Sequence, residues 1–395
     1  MKADPRWSGS IEQVLTTLAK KAISIRNPRE LITEDDPASR EAATVFCAAL
    51  ENPGQARRYL EPLLARLQGK PQLMDPVACF ITARIDPWWG LNLLAEECLQ
   101  RGMLRPVNPY HKAVMKAAGK LDVLADVASR LFQRFPSLES DTLDRVQARR
   151  QEGFPSALLV TQPKSGGVFI ANRFADLYGM PGFYISLKEF PEDHVVEAKA
   201  ALFGQGGAWT YGHLNASPEN LDRLARAGIK KILVHLRDPR QTTLSWAHYM
   251  EEGAVARHGR RLYERIVSSD ITPVSMLDAP FAEKLDWYAE HIFPRFMEWI
   301  LGWIRVRDTD RRFDVRVMEF RQLKEQPLAY MQEAAAFFGV PCEINRVAAP
   351  RQGVANFRAG QMDEWRQAFN PGQIDRMTRQ IPETIAAEAG WELPR

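Results

Sequence analysis

The segment 157-ALLVTQPKSGGVFIANRF-174 constrains this chain more than any other, because an apolar run passes through Pro-Lys-Ser-Gly-Gly straight into residues of helical spacing. The run Ala157 to Val160 predicts a buried strand, and a helix is expected from about Val168 to Tyr178. A strand–loop–helix joint gathers the unpaired N–H groups of a first helical turn and the positive end of the helix dipole at one point, which is a ready seat for phosphate. Gly166 and Gly167 let backbone approach an anion closely, and Lys164 adds a mobile positive charge. In a Walker A loop the lysine follows the last glycine, whereas Lys164 precedes both glycines, so a standard nucleoside-triphosphatase loop does not fit. Taken alone, the pentapeptide also suits an ordinary turn.

A second segment, 232-ILVHLRDPRQTTLSWAHYM-250, gives the loop a partner. A strand over Lys231 to Leu236 ends in Arg237-Asp238-Pro239-Arg240, and Pro239 is suited to stop the strand and open a helix carrying Ser245. Arg237 offers a bidentate, permanently charged contact and Ser245 a neutral donor, a pair able to grip one phosphate. An isolated Arg-Asp-Pro-Arg is equally a salt-bridged turn. Together the two segments describe a crevice at the carboxyl ends of parallel strands, where open α/β sheets bind nucleotides. Residues 219 to 227 and Leu328 to Phe338 read as helices, the latter closed by Gly339 and Pro341, and Asp314 to Phe320 reads as a third strand. The expected fold is therefore α/β, a parallel sheet flanked by helices.

Residues 1 to 150 read differently, as an all-α region. Ser10 and Gln13 form a capping-box pattern before Ile11, Val14, Leu15 and Leu18, and Leu60, Leu63, Leu64 and Leu67 mark one helical face. So do Leu91, Leu94, Cys98 and Leu99, and then Leu121, Leu124, Ala128 and Leu131. The charged segment 139-ESDTLDRVQARRQEG-153 precedes the change of texture, giving a helical region over 1–150 and an α/β domain over 151–395. The 52 Lys plus Arg balance 49 Asp plus Glu to a net charge of +3, too even for a nucleic-acid partner, so any anion site is local. Cys47, Cys79, Cys98 and Cys342 lack zinc or disulfide spacing and read as buried thiols, and no metal is expected. The N-terminus MKADPRWSGS has no apolar signal core, and no stretch approaches the ~18 apolar residues of a membrane span. A cytoplasmic location is the expectation. Nothing in the sequence speaks to oligomeric state.

The pair PKSGG and RDPRQTTLS resembles the 5'-phosphosulfate loop and the 3'-phosphate motif of the sulfotransferases that use 3'-phosphoadenosine 5'-phosphosulfate, a family with a P-loop-like fold. The resemblance covers roughly residues 155 to 370 and includes 316-RVMEFRQLKEQPLAYMQEAAAFFGVP-341 and 356-NFRAGQMDEWRQAFNP-371. It implies that Lys164, Ser165, Gly166, Gly167 and Val168 wrap the 5'-phosphosulfate and that Arg237 and Ser245 bind the 3'-phosphate. Arg358 and Gly360 would then close over that phosphate. Gly167 and Val168 replace threonines usual in the family, Phe169 replaces the tryptophan that stacks on adenine, and Ala359 replaces a lysine. The co-substrate implied is 3'-phosphoadenosine 5'-phosphosulfate, and the partner a small-molecule or carrier-bound acceptor with a hydroxyl or amine.

Sulfuryl transfer needs a base for the acceptor's proton and a cation at the departing phosphate oxygen, and histidine suits the first task near neutral pH. By the same resemblance, 211-YGHL-214 occupies the place of the family's His-Leu dipeptide, which makes His213 the base. Tyr211 stands where a second lysine often lies, leaving Lys164 to stabilise the leaving group. His194 is the alternative base, while His235 and His248 read as packing or surface residues. Phe183, Tyr184, Trp209, Tyr211, Trp246 and Tyr249 suit either an acceptor pocket or the core. Two other readings stand beside this one. A kinase-like phosphotransferase is disfavoured by the lysine-before-glycine order and by the missing Mg²⁺-binding hydroxyl. A non-catalytic nucleotide-binding scaffold is kept open by the losses at Gly167, Val168, Tyr211 and Ala359.

Overall fold

The computed structural model describes residues 18, 37–68, 71–100, 109–135, 139–187, 193–250, 273, 276, 278–341, 344–347 and 362–393. The chain divides into two compact units, Met1–Leu138 and Glu139–Arg395. In the first, helices α1 (Pro37–Glu51), α2 (Ala56–Leu67), α3 (Pro71–Phe80), α4 (Pro87–Gln100), α5 (Pro109–Ala117) and α6 (Leu121–Arg134) follow one another, with no strand among the described residues. Their apolar stripes meet as the spacing predicts: Leu60, Leu63, Leu64 and Leu67 are buried with Phe46 and Val77, and the Phe46 and Phe80 rings meet edge to face at 4.8 Å. Leu121, Leu124, Ala128 and Leu131 are buried along α6. The Ser10–Gln13 capping box lies outside the described residues, although Leu18 is helical and buried.

The second unit opens with α7 (Ser140–Gln151) and alternates strands with helices: β1 (Ser156–Thr161), α8 (Gly167–Tyr178), α9 (Glu197–Phe203), β2 (Ala208–Gly212), α10 (Pro218–Arg226), β3 (Lys231–Leu236) and α11 (Pro239–Tyr249). There follow α12 (Phe281–His291), α13 (Phe293–Thr309), β4 (Asp314–Glu319), α14 (Phe320–Glu325), α15 (Pro327–Phe338), α16 (Trp365–Ala368), α17 (Pro371–Thr378) and α18 (Glu383–Ala389). The strands form one four-stranded sheet in the order β2-β1-β3-β4, parallel at every pairing. Both faces of β1 and β3 are covered, which is why their sequences are continuous apolar runs rather than alternations. One face, with Ala157, Leu159, Trp209, Leu233 and Met318, packs on Ile170 and Phe174 of α8 and on Tyr330, Met331 and Ala334 of α15. On the other face Leu158, Val160, Ile232 and Val234 are each 1% exposed or less.

The strand order places the candidate site. After β1 the chain leaves toward β2 on one side, and after β3 it leaves toward β4 on the other, so the carboxyl ends of these neighbouring strands are a topological switch point. The loop after β1 is PKSGG, and the loop after β3 is Arg237-Asp238. β2 is a finding of the structure, five residues between Gly207 and His213 whose pairing with β1 runs from Ala208 to Gly212. Residues 181 to 187 run beside it, with the Phe183 N–H donating to the Trp209 carbonyl and the Trp209 N–H to that of Pro181.

Candidate functional site

The first strand ends on two polar residues, Thr161 and Gln162, each fully buried and each bonded across the switch point. The Gln162 N–H donates to the His235 carbonyl at 3.1 Å, while its side-chain oxygen accepts the Arg237 N–H at 3.0 Å. The chain then turns tightly: the Ser165 hydroxyl donates to the Gln162 carbonyl at 2.5 Å and the Ser165 N–H at 3.2 Å. Lys164 sits at φ +62°, the left-handed region, where it is the one non-glycine among the described residues. Such a conformation costs on the order of 1–2 kcal/mol and persists only where neighbours over-determine it. Here the Lys164 carbonyl accepts from the Arg237 guanidinium at 2.7 Å.

Helix α8 starts on Gly166 at φ +96°, with no side-chain cap. The N–H groups of Gly166, Gly167 and Val168 have no acceptor among the described residues. Three consecutive donors at the positive end of a 12-residue helix form a concave anion seat. A Cβ at Gly167 would lie 2.5 Å from Thr161 Oγ1, and one at Gly166 would lie 3.2 Å from the Phe320 ring. The first contact gives the reason for glycine where the resembled family has threonine: Thr161 already fills the space.

The cations gather at this seat. The Lys164 ammonium lies 4.4 Å from the centre of the Tyr249 ring, and the Arg237 guanidinium 4.4 Å from that of Phe320. Ser245 is half-buried one helical turn before Tyr249, on the same face of α11. Phe169 is partly buried beneath the Arg173 guanidinium at 5.2 Å. Arg237 also lines a small open cleft with Asp238, Glu319, Phe320, Arg321 and Trp391 among others. Burial pushes the Glu319 carboxyl up, although the Trp391 indole and the Arg321 N–H both donate to it. Arg358 and Gly360 lie outside the described residues.

His213 follows β2 and is held at both ends of its backbone. Its N–H donates to the buried Asp193 carboxylate at 3.1 Å, and its carbonyl accepts from the Trp299 indole at 3.2 Å. Its ring Nδ1 lies 2.7 Å from the Thr161 carbonyl. A carbonyl only accepts, so Nδ1 carries a proton, and in the neutral ring Nε2 holds the lone pair. The ring sits beside the PKSGG loop through Thr161, the residue that also abuts Gly167. Tyr211 meets it edge to face at 6.5 Å, and burial first, then Tyr184, pushes the Tyr211 phenol up to about 12. Tyr211 therefore stays neutral and supplies no positive charge.

Of the other histidines, the carbonyl of His194 accepts from the Leu187 N–H, and His248 packs on the Phe281 ring at 4.8 Å. His235, read from the sequence as a packing or surface residue, is fully buried and bonded to the loop through Ser165 at 2.8 Å. Phe183, Trp209 and Trp246 belong to the core, while Tyr184, Tyr211 and Tyr249 are half-buried around the histidine and the lysine. Sequence reasoning also passes over Thr161, Gln162, Asp193 and Tyr330. The available signal is polar residues closing or interrupting apolar strands, as at Thr161-Gln162 and His235. Among the described residues no group of three or more His, Cys, Asp or Glu could hold a metal ion, and no helix is long and apolar enough to cross a membrane.

No protein-family description matches the chain, and no curated protein matches it. Among solved structures, the mouse sulfotransferase SULT7A1 complexed with PAP is similar at 16% identity and a TM-score of 0.40, over 57% of this chain and 84% of that one. The likeness is too slight to carry an inference about this chain.

Proposed function

We propose that this chain is a sulfotransferase that takes a sulfuryl group from 3'-phosphoadenosine 5'-phosphosulfate and gives it to an acceptor hydroxyl or amine. One observation carries the reading: three N–H groups without an acceptor among the described residues, Gly166 to Val168, stand with Lys164 and Arg237 at the switch point of a parallel sheet. The seat suits an anionic group, since it offers backbone donors beside two cationic side chains, and its glycines pack closely on Thr161 and Phe320. Gly166, Gly167 and Val168 would hold the 5'-phosphosulfate, with Ser165 shaping the turn. Arg237 and Ser245 would hold the 3'-phosphate, with Phe169 beside the base and Arg358 and Gly360 closing from the C-terminal side. The bound donor supplies an activated sulfur on a phosphate leaving group.

The chain's own residues then have distinct tasks. His213 Nε2 takes the proton of the acceptor as the new bond to sulfur forms. Lys164 neutralises the electron pair left on the bridging phosphate oxygen as the old sulfur–oxygen bond breaks. Its contact with Tyr249 is a cation–π attraction worth roughly 0.5–1 kcal/mol at a partly exposed site, weak enough to release the ammonium to an anion. With Tyr211 neutral, the leaving-group charge falls to Lys164.

Transfer from the radiolabelled donor onto a panel of phenols, alcohols and amines tests the reading. His213→Ala is expected to lower kcat by ~10²–10⁴ while the affinity for 3'-phosphoadenosine 5'-phosphate is unchanged. Full turnover in that variant removes His213 as the base. Protection from melting by ATP with Mg²⁺, but not by the bisphosphate, would replace the sulfotransferase with a phosphotransferase. Protection by neither would leave a scaffold.

A further inference from the structure

We propose that His235, locked by Tyr330, is a positioning residue that decides which way the Ser165–Gly166 peptide faces and thereby aims the Gly166 N–H at the bound anion. The inference rests on the anion-seat reading of the loop and not on the identity of the transferred group. His235 and Tyr330 are both 0% exposed, and His235 stands on β3 opposite Thr161 of β1 and Met318 of β4. The imidazole Nε2 is 2.8 Å from the Ser165 carbonyl, and the Tyr330 hydroxyl is 2.8 Å from Nδ1. Because a carbonyl only accepts, Nε2 carries the proton, and Nδ1 is left to accept from the phenol. One tautomer satisfies both bonds. Burial, its largest influence, lowers the imidazole to about 4, so that neutral form persists near pH 7.

The consequence follows from peptide geometry. In a planar trans peptide the carbonyl and the following N–H point in opposite directions. With the Ser165 carbonyl held down against the sheet by His235, the Gly166 N–H faces away from the sheet, into the row it forms with Gly167 and Val168. A flipped peptide would present a carbonyl oxygen to the anion instead. Gly166, at φ +96°, can take either peptide orientation without strain, and the preceding residue but one, Lys164, sits at φ +62°, so the present orientation is one that neighbours must impose. The Arg237 bond to the Lys164 carbonyl imposes one side, and His235 the other.

The test uses the full chain and three variants. His235→Phe keeps the volume and deletes the donor, His235→Gln restores a donor of similar reach, and Tyr330→Phe removes one hydroxyl with the least risk to folding. Affinities for 3'-phosphoadenosine 5'-phosphate and for pyrophosphate are measured by calorimetry beside the melting temperature. His235→Phe is expected to weaken both ligands about tenfold, and His235→Gln to recover most of the loss at equal melting temperature. In ¹⁵N spectra of the wild type, the His235 proton is expected on Nε2, with Tyr330→Phe populating the other tautomer. A proton on Nδ1 in the wild type, or unchanged affinities in a folded His235→Phe chain, overturns the proposal. Binding of pyrophosphate but not of the bisphosphate would end the donor assignment, while the pyrophosphate series still decides the role of His235.

Discussion

Gly167 shows how one side chain can dictate the identity of another residue. Thr161 Oγ1 occupies the space a Cβ would enter, at 2.5 Å, so position 167 has no room for a side chain. Gly167→Ala is therefore expected to cost roughly 1–3 kcal/mol by overpacking. In a double-mutant cycle measured by urea denaturation, Thr161→Ala should recover part of that loss. Lys164 makes the opposite trade. Its left-handed backbone is strained, so Lys164→Gly is expected to keep or raise the melting temperature while weakening the bisphosphate. A fall in stability would mean that the strain is not local to that residue.

At the scale of elements, α11 is the best-anchored part of the site. Asp238 caps its N-terminus by accepting from the Arg240 N–H at 2.9 Å, and the fully buried Arg240 side chain returns two bonds to the same carboxylate, at 3.0 and 2.7 Å. Arg240 also lies 3.9 Å from the centre of the Trp365 ring and donates to the Glu392 carbonyl at 2.8 Å, which ties the helix to the C-terminal segments. Arg240→Ala strands a largely buried carboxylate and is expected to destabilise the chain by roughly 3–5 kcal/mol in denaturant titrations. The elements also differ in how legible they are. β1 and β3 are read from sequence because a strand buried on both faces writes itself as an apolar run, β4 because Val315 and Val317 alternate with polar residues, and α8 because glycines punctuate its start. β2 is not, since Ala208 to Gly212 is short, bounded by Gly207 and itself ends in glycine, and only its pairing with β1 makes it a strand. The task of His235 is hidden for a related reason. A histidine in an apolar strand does not reveal that Ser165 and Tyr330, distant in sequence, stand on either side of its ring.

Across the whole molecule the clearest measurable consequence is in acid. His235 and His111 are fully buried, one in each unit, and burial lowers them from 6.5 to about 4 and about 3. The unfolded chain takes up these protons first as pH falls, so their contribution is complete above about pH 6.5 and is lost progressively toward the folded values. For His235 the full shift corresponds to on the order of 3 kcal/mol. The melting temperature should fall from pH 7 to pH 5, and His235→Gln should flatten part of that slope. An unaltered slope would show that this site does not carry it.

The indole N–H groups of Trp299 and Trp303, both on α13, converge on the Leu214 carbonyl at 2.7 and 2.8 Å. The backbone of His213 and Leu214 is thus tied to α13 and the His213 ring to Thr161 of β1, whereas the Ser165 carbonyl is tied to β3 and, through it, to α15. The two halves of the proposed chemistry lean on different helices while sharing Thr161 of β1. On the proposed reading, remodelling around α13 would change the acceptor while the donor seat held from β3 and α15 stays as it was.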